Sequence, residues 1–260
     1  MIFEKRNAPT MRLITMGVSV LVVCLCSQSA LAFAKPKAKD VLKDMSDFLA
    51  KQQKLSFRTT ENYTGIKRPD GRDMGTVERQ VLLERPDKLK SVATGASVDV
   101  AVWFRAGSLA IVSNDKKMYG VTKVPEALDE AMDFIAERVR VPMPVSDLLY
   151  SSPYDAFMAS GTKGRYLGVE NVGDERCHHL SFKHKLIEWE IWVRATGDPT
   201  PAKLQLKYVQ QEEKAECTLV FKDWNFSPEI VPDSFTFMPP DAFTQIRIRE
   251  RSPLATKSGK

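Results

Sequence analysis

The sequence predicts a single, mainly β domain built on a large, highly curved antiparallel sheet, with an N-terminal helix and a helical insertion near its middle. Segments of strand composition recur along most of the chain, and turn signals separate them closely. Connections this short favour neighbouring antiparallel strands. Because a meander with one apolar face must bury it by curling or by being covered, we expect the helices to lie in the concavity.

The composition is that of an ordinary globular protein. The 260 residues are 43% apolar and 27% charged, and they include 13 Gly, 15 Pro and four Cys. These values exclude a collagen-like or low-complexity chain and a disulfide scaffold. No shift in composition divides the chain, which indicates one domain.

The start of the chain has the pattern of a signal peptide. Lys5, Arg6 and Arg12 precede an uncharged apolar run over 13–26, and small residues follow at 30–34. A basic start, an apolar middle and a small-x-small end are typical of cleaved export signals.

Several alternatives remain open at this end. Cleavage after Ala34 is predicted, and Ala32 is the near alternative. Translation from Met11 would give a more compact signal. An uncleaved segment would anchor the protein in the inner membrane, and acylation at Cys24 or Cys26 would make it a lipoprotein.

We therefore predict a signal peptide over 1–34, one domain over 35–250 with a helical lid at about 125–160, and a disordered tail over 251–260. The signal peptide holds three of the 38 basic and one of the 33 acidic residues, which leaves 35 and 32, or a net charge of +3. This charge is spread along the chain without a basic block, so no nucleic-acid partner is expected.

The first half begins with a helix and continues in strands. A helix is predicted over 38–53, because its apolar residues have helical spacing at Val41, Leu42, Met45, Phe48 and Leu49. Strands are predicted at 55–63, 76–85, 88–94, 98–104, 108–113 and 117–122.

The second half follows a helical stretch that begins at Pro125. Leu128, Met132 and Ile135 form the apolar stripe of its main helix, and two shorter helices are predicted over 145–152 and 153–160. Further strands are predicted at 164–172, 175–183, 186–194, 202–210 and 216–224, with edge strands at 235–237 and 243–248.

Alternation along the strands assigns the cysteines and histidines to faces. It places Cys217 in the core and Cys177 on the opposite face of the sheet, which is unfavourable for a disulfide unless a bulge reverses the parity. His178 is predicted to point inward with a hydrogen-bond partner, and His179 and His184 to lie on the surface. Adjacent strand residues point opposite ways, so no metal site is expected.

Seven segments carry a resemblance to a known family. They are VLKDMSDFLAKQQKLSFRTTENY (41–63), RPDKL (85–89), WFRAGSLAI (103–111), VPEALDEAMDFIAERVRVPMPVSDLLYSSPY (124–154), RYLGVENVGDERCHHLSF (165–182), EWEIWV (188–193) and DWNFSPEIVPDSFTFMPP (223–240). The chain resembles an uncharacterised family of periplasmic proteins, which is similar to the lipoprotein-localisation carriers LolA and LolB.

The resemblance implies an unclosed antiparallel β-barrel, or half-barrel, with helices as a lid over an apolar cavity. In the carriers this cavity shelters the acyl chains of lipoproteins that cross the periplasm. The resemblance implies no catalytic residue and no cofactor. The functional arginine of the carriers has no matching position here, and Arg79, inward by parity, is the nearest candidate.

We expect the cavity to be lined by inward residues of the strands and closed by apolar residues of the lid, although the same residues would also serve as ordinary core. The cavity candidates are Val81, Leu83, Val100, Val102, Phe104, Trp189, Ile191, Leu206, Leu219 and Phe221. The lid candidates are Phe134, Ile135, Leu148, Leu149 and Phe157.

Three classes of function follow. The first is a periplasmic carrier or binding protein for a lipid, a lipoprotein acyl chain or another hydrophobic small molecule. The second is an envelope interaction or sensor protein with a protein partner, for which Trp103 and Trp192 on predicted outward faces are binding candidates. The third, an enzyme, is not expected, because the chain lacks the nucleophile-elbow, phosphate-loop, H-E-x-x-H and C-x-x-C motifs.

Overall fold

The computed structural model describes residues 35–68, 71–139, 141–158, 161–209 and 215–250. The signal peptide predicted over 1–34 and the tail predicted over 251–260 lie outside them. The helices are α1 (Ala38–Ala50), α2 (Leu128–Phe134) and α3 (Pro153–Phe157). The strands are β1 (Lys54–Lys67), β2 (Asp73–Glu84), β3 (Lys88–Gly95), β4 (Val98–Arg105), β5 (Ser108–Ser113), β6 (Met118–Lys123), β7 (Lys163–Val172), β8 (Glu175–Lys183), β9 (Ile187–Arg194), β10 (Pro201–Tyr208), β11 (Ala215–Asn225) and β12 (Thr244–Gln245).

All twelve strands belong to one sheet, in the order β12-β6-β5-β4-β3-β2-β1-β11-β10-β9-β8-β7. Two antiparallel meanders, β1–β6 and β7–β11, join where β1 pairs with β11. The end strands β7 and β12 do not pair with each other, so the sheet stays open. This confirms the predicted unclosed antiparallel sheet.

The N-terminal helix packs in the concavity as predicted. Helix α1 contacts α3 and the strands β7–β9, and its buried apolar residues include Val41, Leu42, Met45 and Leu49. These side chains join the main core cluster, which runs along the concave face of the sheet. The 3.6-residue spacing of the stripe is what places all four on one side of the helix.

The insertion between β6 and β7 is less regular than the sequence indicates. Helix α2 continues into a single π turn over Ile135–Val139, and a 3₁₀ turn follows at Ser146–Leu148 before α3 begins at Pro153. The guanidinium of Arg85, between β2 and β3, donates to the carbonyls of Leu149 and Tyr150 at 2.9 Å each. These bonds fasten the insertion to one end of the sheet, the end formed by the β2–β3 turn.

The C-terminal segment corrects one predicted edge strand. Thr244–Gln245 pairs with β6, in parallel, within the predicted 243–248 segment. The segment predicted as a strand at 235–237 is instead irregular, because flanking prolines such as Pro232 and Pro239 have no N–H to donate to a ladder. It crosses the outer face of the sheet, where the ring of Phe237 lies 5.4 Å from that of Trp103.

Cys177 and Cys217, the cysteines among the described residues, are free and lie in different clusters. Cys217 belongs to the main core, whereas Cys177 is buried on the outer face with Trp192 and Ala202. This agrees with the opposite faces expected from strand parity. In the described part of the chain no helix is both long and apolar enough to cross a membrane.

Candidate functional site

A cavity of about 590 Å³ lies between the concave face of the sheet and the lid segment, which we define as residues 141–147. The cavity occupies the end of the sheet formed by the β1–β2, β3–β4 and β5–β6 turns, opposite the end that Arg85 fastens. Lys67 and Lys116 line it and are exposed, so the cavity opens to solvent at this end.

The walls of the cavity are largely aliphatic. From the strands, the apolar lining residues are Ile66, Met74, Val77, Ala93, Val98, Val100, Val102, Ile187 and Leu206. The lid segment adds Val141, Pro142, Met143 and Pro144. An unbranched thioether such as Met143 adapts to irregular ligands, and a concave, mostly apolar space of this volume is typical of sites for small hydrophobic molecules.

A buried ion pair forms part of the cavity wall. Arg79, 5% exposed, meets the fully buried carboxylate of Glu61 in a two-pronged arrangement, with Nε 2.6 Å and Nη2 3.1 Å from its oxygens. The hydroxyls of Thr59 and Tyr63 donate to the same carboxylate at 3.0 and 2.7 Å. Arg79 Nη1 also donates to the hydroxyl of Ser91 at 3.1 Å. The charges are therefore satisfied within the wall.

The ion pair also touches the lid. Nη2 of Arg79 lies 3.4 Å from the carbonyl oxygen of Pro142. Burial opposes the charge of Arg79, but its hydrogen bond to Glu61 and the attraction between the two charges outweigh burial and raise the pKa of the guanidinium. Arg79 consequently stays charged at any pH at which the protein is folded.

Two tyrosines complete the polar part of the wall. Burial, followed by the neighbouring Glu61 carboxylate, raises the pKa of Tyr63 far above its ordinary value. Burial also raises the pKa of Tyr208 to about 12. Both phenols are therefore neutral at physiological pH and serve the cavity as hydrogen-bonding groups without charge.

Asp147 is a half-buried acid at the lid. It lines the main cavity and also a second hollow formed with Asp129, Asp133 and Asp155. Burial raises the pKa of Asp147 to about 6, although a 3.3 Å bond from the Ser146 hydroxyl acts in the opposite direction. The folded protein thus binds this proton more tightly than the unfolded chain does.

The raised pKa predicts a pH-dependent stability that an Asp147→Asn variant would remove. A carboxyl whose pKa is raised by folding stabilises the fold while protonated, and that contribution is lost as pH rises from 3.8 to about 6. At pH 7 we expect Asp147→Asn to be more stable than the parent by up to about 3 kcal/mol. In urea denaturation at pH 3.5 the variant and the parent should have the same unfolding free energy. An equal gain in stability at pH 3.5 and pH 7 would contradict the raised pKa of Asp147.

Three of the cavity candidates line the cavity: Val100, Val102 and Leu206. The other seven, Val81, Leu83, Phe104, Trp189, Ile191, Leu219 and Phe221, belong to the main core cluster. On β4 the outcome follows depth along the strand, whereas Trp189 is core although it pairs with Leu206 at the same level. On β4, Val100 near the open end is half-buried, Val102 is 2% exposed, and Phe104 at the far end is completely buried.

The lid candidates lie in the core or beside it. Ile135, Leu148, Leu149 and Phe157 are members of the core cluster, and Phe157 packs on Trp189 with ring centroids 5.0 Å apart. Phe134 is half-buried beneath the guanidinium of Arg138. The cavity is covered instead by the lid segment, whose prolines and short apolar residues have no helical or strand periodicity to identify them.

The histidines differ in how they compare with the prediction. His178 has a hydrogen-bond partner, as predicted, which is the Tyr166 hydroxyl at 2.9 Å. His179 is only 13% exposed, because its ring stacks on Trp192 at 4.1 Å and its Nε2 lies 2.9 Å from a Glu190 oxygen. The prediction of a surface position for His179 is therefore wrong. Across the described residues of 35–250, no group of three or more His, Cys, Asp or Glu side chains could hold a metal ion.

The two outward tryptophans are covered. Trp192 is 4% exposed, with its indole N–H bonded to Glu170 and the Lys203 ammonium 4.2 Å from its ring centre. Trp103 is half-buried under Phe237. Neither ring offers an open binding surface.

Comparison with solved structures finds distant similarities. An uncharacterised conserved protein from Thermus thermophilus has 8% identity and a TM-score of 0.49, over 81% of this chain and 98% of that one. Lipoprotein LppX from Mycobacterium tuberculosis has 12% identity and a TM-score of 0.45, over 75% and 98%. A LolA superfamily protein from Nitrosomonas europaea has 11% identity and a TM-score of 0.35, over 78% and 99%.

Comparison with protein families assigns nearly the whole domain to one family. No curated protein matches the sequence. The family described as "Predicted periplasmic protein (DUF2092)" matches residues 38–249, which span α1, the complete sheet and the lid segment. The chain therefore belongs to the DUF2092 family of predicted periplasmic proteins.

Proposed function

We propose that the protein is a non-enzymatic periplasmic binding protein that holds a hydrophobic ligand, a lipid or a lipoprotein acyl chain, in the cavity beneath the lid segment. The observation that carries this proposal is the cavity itself, whose volume of about 590 Å³ lies within the range of small-molecule sites. Its aliphatic walls would exclude water from an acyl chain, which is the main driving force for such binding.

The polar groups of the wall fit the same ligand class. The charges of Arg79 and Glu61 satisfy each other, and Thr59, Tyr63 and Ser91 complete their hydrogen bonds. An acyl chain next to this network would leave no buried charge without a partner. A ligand that reached Arg79 could also displace its 3.4 Å contact with the Pro142 carbonyl, which would free the lid segment to move.

Two features support a role without catalysis. Among the described residues that line the cavity there is no histidine or cysteine. The charges of Arg79 and Glu61 are fully engaged with each other and with neighbouring hydroxyls, and Asp147, another acid of the cavity, accepts a hydrogen bond from the Ser146 hydroxyl. The alternative role as an envelope interaction protein rests on Trp103 and Trp192; Trp192 is buried and Trp103 is half-buried under Phe237, which weakens that support.

A cavity-filling substitution tests the proposal. Val100→Trp would place an indole in the open part of the cavity, where the valine is half-buried and has room on one side. We expect this variant to reduce binding of a fatty acid carrying a polarity-sensitive fluorophore by at least roughly tenfold, because the indole occupies the space for several methylenes.

Val92→Trp is the matched control. Val92 lies on the adjacent strand β3 but faces the outer side of the sheet, so the same change in volume leaves the cavity untouched. The control should bind the fluorescent fatty acid as the parent does. Unchanged binding by a folded Val100→Trp variant, or equal losses in both variants, would count against the proposed site.

A further inference from the structure

Five turns between strands gather at the end of the sheet where the cavity opens, although they are far apart in sequence. The register of the strands places the turns together, because each turn connects two antiparallel strands and the paired strands of adjacent hairpins end at the same edge of the sheet. We call them the rim. Its described residues are 67–68, 71–73, 95–98, 113–118, 183–188, 207–209 and 215.

The rim is the basic end of the molecule. Its described residues hold eight basic and three acidic side chains, a formal charge of +5. The turns at the opposite end, 51–54, 84–88, 105–108, 172–175 and 194–201, hold six basic and five acidic residues, a formal charge of +1. Folding thus collects at one end a charge that is dispersed along the sequence.

Two large apolar side chains stand exposed on the rim. Leu186 is 53% and Val209 is 55% exposed, and a 3.1 Å hydrogen bond from the Val209 N–H to the Leu186 carbonyl holds them side by side. Lys185 and Lys207 flank them and are exposed. Exposed apolar residues ringed by cations are typical of surfaces that enter the headgroup region of a membrane.

The exposed pair continues directly into the cavity. Ile187 and Tyr208, the next residues inward on β9 and β10, pair with each other and line the cavity wall. A bilayer that received Leu186 and Val209 would therefore meet the cavity opening itself. Val231, an exposed apolar residue toward the opposite end, lines a separate hollow on the outer surface.

We propose that the rim docks this protein on the surface of a bilayer that contains anionic lipids, with Leu186 and Val209 inserted among the headgroups. The cationic residues supply attraction over the Debye length, and the apolar pair supplies insertion at contact. The proposal does not require the cavity to hold a lipid, because docking depends on the outer surface of the rim alone.

Co-sedimentation of the mature chain with vesicles tests the proposal. We expect binding to vesicles of equal parts phosphatidylglycerol and phosphatidylcholine, weakening with added salt, and little binding to pure phosphatidylcholine. Equal binding to both compositions, or no binding to either, would overturn it; a purely polypeptide partner for the rim would give the second result.

Paired variants locate the surface. Lys117→Gln with Lys185→Gln, both exposed and outside the cavity lining, should lower partitioning into the anionic vesicles roughly 25-fold, about fivefold for each lysine. Lys51→Gln with Lys54→Gln removes the same charge at the opposite end and should change it little. Leu186→Ser should lower partitioning into the anionic vesicles roughly tenfold, and Val231→Ser should leave it unchanged. Equal losses in the rim variants and their controls would refute docking through the rim.

The filled-cavity variant separates the two proposals. Val100→Trp should keep full vesicle binding while it loses the fluorescent fatty acid, since Val100 points into the cavity and not out of the rim. Loss of vesicle binding in the rim variants with intact fatty-acid binding would support docking on its own. If the parent binds the fatty acid but no vesicles, the cavity proposal is supported and the docking proposal is refuted.

Discussion

Replacing Arg79 with leucine is expected to lower the free energy of unfolding by about 3–5 kcal/mol. The change leaves Glu61 fully buried with its charge uncompensated, and the two remaining donors, the hydroxyls of Thr59 and Tyr63, cannot replace a guanidinium. The contact with the Pro142 carbonyl is lost at the same time, so the lid segment should exchange its amide hydrogens faster.

The double replacement Arg79→Leu with Glu61→Leu is the control for this prediction. A buried ion pair contributes little net stability, since desolvation offsets attraction, and removing both partners is often neutral. The double variant should therefore recover most of the stability lost by Arg79→Leu in chemical denaturation. A double variant as unstable as Arg79→Leu would show that packing around the side chains, and not the orphaned carboxylate, causes the loss.

Trp189→Ala is the second large effect, and we expect it to cost about 3–5 kcal/mol of unfolding free energy. The indole is 4% exposed and stacks on Phe182 at 4.0 Å with an interplanar angle of 12°. It also supports Phe157 of α3, 5.0 Å away. Truncation would leave a large cavity beneath the helices, where the surrounding residues can collapse only partly.

Trp103→Ala provides the matched comparison. This indole is half-buried on the outer face, with Phe237 at 5.4 Å and Lys90 5.5 Å from its ring centre. We expect its removal to cost clearly less than that of Trp189, because the outer segment can settle into the space. Thermal denaturation of the two variants measures the difference. Equal losses would contradict the division between a dense core and a looser outer layer.

The sheet and its first helix could be predicted because their periodicities are strong. The alternation along β9 places Trp189, Ile191 and Val193 in the core, and the stripe of α1 is buried. The parallel pairing of β12 could not be predicted. Two residues give no periodic signal, and that pairing depends on a C-terminal segment that crosses the outer face before it meets β6.

The cavity was only partly predictable, because parity assigns a residue to a face but not to a depth. Val102 and Phe104 have the same parity on β4, yet the first lines the cavity and the second is core. The difference arises from position along the strand: Val102 lies closer to the rim and lines the cavity, whereas Phe104 lies closer to the end fastened by Arg85, within the main core cluster. Strand alternation predicts that Arg79 points inward. It does not predict the ion pair with Glu61, because a buried carboxylate has no sequence signature of its own.

Mass spectrometry of the protein purified from bacterial periplasm most directly tests whether the cavity holds a hydrophobic ligand. Native spectra of the parent and of Val92→Trp should show a bound amphiphile at near one-to-one ratio, and solvent extraction should identify it. Val100→Trp, prepared in the same way, should be empty. A parent protein that is free of bound amphiphile after mild purification, or a loaded Val100→Trp variant, would contradict the account.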